Sequence, residues 1–104
     1  MEDKRIVELY WKRSEIAIEE TNKKYGRYIK SIAMNILGSE SDAEEAINDT
    51  YLDTWNTIPP NKPKELSTFL GKIARRRSVD ILRKKNAARR GWGETAVVFE
   101  ELEE

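Results

Sequence analysis

Asp42-Ala43-Glu44-Glu45-Ala46-Ile47-Asn48-Asp49-Thr50-Tyr51-Leu52-Asp53-Thr54-Trp55 is the stretch on which the reading of this chain turns. Ala43, Ile47, Tyr51 and Trp55 stand four residues apart, which on a helix makes one apolar stripe, and the carboxylates fill the positions around it. Glu45, Asn48 and Asp49 fall at i, i+3 and i+4, so on a helix their polar groups share the face opposite that stripe. Gly38 upstream supplies a left-handed stop for a preceding helix. Ser41 with Glu44 three residues on predicts a capping box, and the new helix should reach Trp55 or Thr57.

Outward from this stretch the period stays helical. Asp3 is the expected N-cap of a first helix to about Arg13, and Ser14 the cap of the next. From there to Leu37 the apolar residues Ile16, Ala17, Tyr25, Tyr28, Ile29, Ile32, Ala33 and Ile36 recur at three- and four-residue steps, as one long helix or as two broken near Gly26. Downstream, Ile58-Pro59-Pro60-Asn61-Lys62-Pro63-Lys64 cannot lie inside a helix, because proline removes a donor and drives its predecessor to extended backbone. Leu66, Phe69, Leu70, Ile73, Ala74, Ile81 and Leu82 restore the helical period to about Ala88. The expected fold is all-α, a compact bundle of about four helices with a proline-rich loop before the last. Residues 1–90 form the expected domain and 91–104 an acidic linker or tail, in which Trp92 between two glycines has no assigned role.

A chain of 104 residues predicts one domain with a modest core. It has no cysteine and no histidine, so disulfide frameworks, thiolate metal sites, thiol nucleophiles and histidine bases lose their residues. No cofactor or metal is expected, and a binding role fits better than an enzyme. No apolar run approaches the roughly 20 residues a membrane span needs, and no signal-peptide core follows the charged start, so a cytoplasmic protein is expected.

Formal net charge is zero, but its distribution is uneven. Between Lys72 and Arg90 nine Lys and Arg face one acid, Asp80, whereas Glu40 to Asp53 holds six acids and no base. A basic face of that density fits a polyanion, and an acidic one fits a basic protein. Lys72, Arg76 and Arg83 line one surface of the last helix, with Arg75 on its flank and Lys84 beside it, and the guanidinium forks suit phosphates and base edges. Asp80 is read as a structural acid pairing with Arg76, Arg77 or Arg83. The loop and the turn after it carry Asn61, Lys62, Lys64, Ser67 and Thr68, donors and acceptors able to surround one extruded base. Trp11, Tyr51, Trp55 and Phe69 fall on apolar stripes and are read as core.

The order of these features resembles region 2 of the sigma-70 family of bacterial RNA polymerase sigma factors, above all the small extracytoplasmic-function class. That family's middle helix reads approximately D-A-E-D-x-x-Q-E-x-F-L-x-x-W, matched without a gap by Asp42 to Trp55. Its last helix reads approximately W-L-x-x-I-A-R-N-x-x-x-D-x-L-R, matched by Phe69 to Arg83. The resemblance covers about Ile6 to Arg90. It implies contacts to the clamp helices of the largest polymerase subunit by Asp42, Glu45, Asn48 and Asp49. It implies contacts to the single-stranded non-template strand of the promoter minus-ten element by the basic helix and the loop.

The resemblance also allows an anti-sigma factor as a partner, with no membrane and no catalysis. Glu, Asn and Asp stand at 45, 48 and 49 where the pattern has Asp, Gln and Glu, keeping charge or polarity while changing reach by one methylene. Phe69 replaces a Trp and Arg76 an Asn. The family's helix-turn-helix domain for the minus-thirty-five element has no counterpart here, so the stretch from Glu94 is expected to begin a linker and the chain to be part of a longer protein. The rival reading is a helical adaptor or regulator that binds protein and no DNA, but an adaptor has no use for nine cations within nineteen residues.

Overall fold

A computed structural model describes residues 1–90. Four helices follow in order: α1 (Asp3–Trp11), α2 (Ile16–Leu37), α3 (Glu40–Thr57) and α4 (Leu66–Arg90). The all-α bundle is as expected, and α2 runs as one helix through Gly26. α2, α3 and α4 pack mutually, and α1 lies against α2. Among the described residues no helix is long and apolar enough to cross a membrane.

Three helix starts differ from expectation. At α2 the cap position is Glu15, without a side-chain cap bond, rather than Ser14, whose Oγ accepts from the Ile16 N–H at 3.4 Å. Asp3 does not cap α1; the cap position is Glu2, without a side-chain bond. The Asp3 carboxylate instead accepts from Tyr25 Oη at 2.8 Å and pairs with Lys24 at 2.8 Å, tying α1 to α2. Burial pushes that carboxyl up, but the bonds from Lys24 and Tyr25 outweigh it and hold it below its ordinary value. At α3 the cap is Ser39, whose Oγ accepts from the Asp42 N–H at 3.4 Å, rather than Ser41 with Glu44. Gly38 takes the expected left-handed conformation (φ 68°) and Ser39 follows in extended backbone, so the helix starts two residues earlier.

The buried edge of α3 is also rotated. Ala43, Ala46, Thr50 and Thr54 are buried, while Ile47, Tyr51 and Trp55 are half-buried beside the core. Threonine is tolerated there because each hydroxyl returns to the carbonyl four residues back, Thr50 to Ala46 and Thr54 to Thr50, both at 2.7 Å. Thr21 does the same toward Ala17 and also meets Tyr10 Oη at 2.7 Å. The principal core gathers Ile6, Val7, Tyr10, Ala17, Ile29, Ile58, Leu66, Leu70 and Ala74. Gly71 sets the α2–α4 approach: a Cβ there would stand 2.5 Å from Tyr28 Oη.

Candidate protein and nucleic-acid interfaces

α3 and α4 lie side by side, and their opposite charges meet along the seam. Arg77 donates from Nε to Asp53 Oδ2 and from Nη2 to Asp53 Oδ1, both at 2.6 Å, a two-pronged bond. Those bonds hold the Asp53 carboxyl below its ordinary value, against burial, which pushes it up. Further along, Lys85 Nζ meets Asp42 Oδ2 at 2.7 Å. The charge blocks of the sequence are thus partly spent on each other, and Asp42 is already engaged within the chain.

What remains of α3 is an outer face. Glu45 and Asn48 are exposed on it, and Asp49 sits half-buried at its edge, near enough to Arg77 to act on its charge. The three share a surface as their spacing requires. Leu52, four residues after Asn48 and seven after Glu45, is 54% exposed on the same side. This apolar spot amid polar groups was readable from the spacing and was missed.

α4 turns its other side outward. Lys72, Arg75, Arg76 and Arg83 are exposed and, with Val79 and Asp80, line one concavity. Thr68 is exposed one turn before Lys72 and extends that line toward the loop, whereas Ser67 is half-buried. Lys84 lies elsewhere, in a cleft between α3 and α4 shared with Glu45, Asp49 and Asp80. Asp80 acts on Arg77 from the same helix, but the forked bond of Arg77 goes to Asp53.

The loop is held from three sides. Ile58 is fully buried and its N–H donates to Thr54 O, while Asn61 N–H donates to Thr57 O at 2.9 Å. Arg13, at φ 58°, sends Nη1 to the carbonyls of Trp55 (2.9 Å) and Ile58 (2.8 Å), closing the end of α3, and its guanidinium lies 3.8 Å from the Trp55 ring centroid. Trp11 is not core: its indole is 42% exposed and Nε1 donates to Asn61 O at 3.2 Å. Held this way, Lys62 and Lys64 wall a cleft with Lys4, Val7 and Glu8 of α1 rather than the concavity of α4. The candidate DNA contacts therefore divide between two surfaces, the concavity of α4 and the cleft beside α1. The expected linker from residue 91, including Trp92, lies outside the described residues.

The family model for Sigma-70 region 2 matches residues 23–88, from within α2 through most of α4. Neither a curated protein nor a solved structure matches the chain.

Proposed function

Because the chain belongs to the sigma-70 region 2 family, whose role is RNA polymerase binding and promoter melting, we propose that residues 1–90 are the polymerase-docking and minus-ten-reading domain of an extracytoplasmic-function sigma factor. One observation carries this reading: the acids and bases pair along the α3–α4 seam, yet each helix keeps an outer face dominated by one character, polar and acidic around Leu52 on α3, basic around Asp80 on α4.

Glu45, Asn48 and Asp49 dock on the polymerase clamp helices, with Leu52 as an apolar contact at one end of the face and Asp42 held to Lys85 at the other. Lys72, Arg75, Arg76 and Arg83 engage the phosphates of the non-template strand, with Lys84 adding to the local field. Asn61, Lys62, Lys64, Ser67 and Thr68 take a base as it leaves the duplex. The protein does no chemistry on its ligand; it traps bases that have left the stack, at a cost of a few kcal/mol each, and strand opening follows from the trapping. It works in the cytoplasm, where an anti-sigma factor covering either face would silence it. The test is co-purification of core RNA polymerase by the purified chain. Its absence at concentrations where a known region 2 domain is retained would reject the assignment.

A further inference from the structure

The acids Glu94, Glu100, Glu101, Glu103 and Glu104 have no part in either proposed interface. All nineteen Lys and Arg stand before residue 91, with fourteen of the nineteen acids, so residues 1–90 carry a net charge of +5 that the acids of 94–104 cancel. The surplus is greatest on α4. In the seam, Asp53 and Asp42 are taken by Arg77 and Lys85. On the outer side of α4 the exposed Lys72, Arg75 and Arg76 pair with no carboxylate among the described residues. The Arg76 charge acts on Asp53, but that carboxylate is already held by Arg77. Among the described residues, Asp80 is the one acid lining the concavity these cations form with Arg83.

We propose that residues 94–104 fold back along α4 and cover this concavity while no DNA is bound, their carboxylates holding the place of phosphates. The inference rests on the reading of the concavity as the DNA face and names what regulates it. Charge complementarity selects the occupant, because no Lys or Arg interrupts the five acids. Reach permits it. At 1.5 Å per helical residue, Arg76 lies about 21 Å and Lys72 about 27 Å back from Arg90. Ten extended residues span about 33 Å, so the acids from Glu100 onward can stand beside both. Gly91 and Gly93 accept the positive φ that reversing the chain demands. Tethering also presents these acids at an effective concentration on the order of millimolar, an advantage that a separate acidic partner lacks. The covered form cannot take a strand, so the free chain is kept off DNA until phosphates displace the segment.

The chain has no cysteine, so Leu102→Cys carries a nitroxide at one place. In the full chain, free of polymerase and at low ionic strength, that label is expected to broaden the backbone amide signals of Lys72, Arg75 and Arg76. It should spare Lys23 on α2 and Leu52 on α3, and added salt should remove the effect. Mixing labelled chains with isotope-labelled, nitroxide-free ones should not reproduce it. Strand binding is read in two variants of equal net charge. One carries Glu100→Gln, Glu101→Gln, Glu103→Gln and Glu104→Gln; the other carries Glu2→Gln, Glu15→Gln, Glu19→Gln and Glu44→Gln, at exposed acids outside α4. A covered form populated about nine times in ten lowers apparent affinity about tenfold. The first variant should therefore bind a single-stranded minus-ten sequence about tenfold tighter than the unmodified chain, and the second should gain much less. Absence of selective broadening overturns the proposal, as does broadening that appears only between mixed chains. Equal affinities in the two variants also overturn it, assigning the acids to net charge alone. If neither the unmodified chain nor any variant binds a strand, the promoter reading fails, and the broadening still decides whether the segment lies on α4.

Discussion

Arg77 and Asp53 face each other across the α3–α4 seam with both guanidinium prongs on both carboxylate oxygens, at 2.6 Å each. The bond joins the helix proposed to dock on protein to the helix proposed to hold DNA, so the relative placement of the two faces depends on it. With Asp53 largely covered and Arg77 about a third exposed, Asp53→Asn should cost about 1–2 kcal/mol at neutral pH, below the full value of a charged bond because of solvent screening. The folded carboxyl titrates below its ordinary 3.8, so its stabilisation is fully present above that value. It fades as the pH falls through 3.8 and is gone below the folded value. Urea unfolding of both proteins across an acid series should show the gap closing there, and a constant gap at all pH would remove charge from the explanation.

Arg13 is the second staple, and its loss should loosen the loop rather than the bundle. Arg13→Ala removes two charged bonds to the Trp55 and Ile58 carbonyls and the contact with the Trp55 ring, an expected loss of about 2 kcal/mol. Arg13→Lys should recover little, because a single ammonium cannot lie flat on the ring and span both carbonyls. Faster hydrogen exchange at the Asn61 amide, which donates to Thr57 O, is the measurement; unchanged protection there contradicts the stapling role.

Neither staple was legible in the sequence, and the reason is distance along the chain. The helices were readable because their signals are local: the four-residue recurrence from Ala43 to Trp55, the prolines at 59, 60 and 63, the left-handed Gly38. Asp53 and Arg77 are 24 residues apart, and Arg13 and Ile58 are 45, so no periodicity joins them. Trp11 was misread for a related cause. Spacing places a residue on a stripe but does not say whether a neighbouring helix covers that end of it, and here the indole stays 42% exposed with its N–H on the loop. Ser39 displaced Ser41 because the turn at Gly38, not the side-chain pattern, fixes where backbone first becomes helical.

Glu45 and Leu52 separate the docking face from the seam. Both are exposed, so Glu45→Lys and Leu52→Asp should leave helicity and unfolding midpoint nearly unchanged while weakening core polymerase binding at least tenfold. Asp49→Lys is a less clean variant, since it places a cation beside Arg77 and costs stability as well. Fluorescence polarisation against core polymerase decides the matter, and unchanged affinity in both exposed variants would place the interface on another surface.

The basic face of α4 should act through phosphates. Free of polymerase, the chain should bind single strands weakly, with log affinity falling steeply in log salt, and Lys72→Ala or Arg76→Ala should each reduce the slope by about 0.7. A tighter grip on duplex than on single strands would identify a reader of double-stranded DNA.

Specificity should reside in the loop and not in the helix, and the geometry gives the reason. Lys72, Arg75 and Arg76 are long, exposed side chains along an open concavity, and a flexible single strand offers them no fixed groove, so they add affinity to every sequence alike. The segment from Asn61 to Thr68 is fixed at Ile58 by burial and by Arg13, and at Asn61 by its bonds to Thr57 and Trp11, and a fixed surface discriminates among bases because a wrong one leaves its donors unpaired. Exchanging residues 61–68 for the loop of another region 2 domain should therefore change the preferred base at one minus-ten position, whereas Lys72→Ala should weaken all sequences by a similar factor. A binding selection over randomised minus-ten strands with both variants tests this. If the exchanged loop leaves every preference in place and Lys72→Ala shifts one, the helix is the reader and the loop a connector.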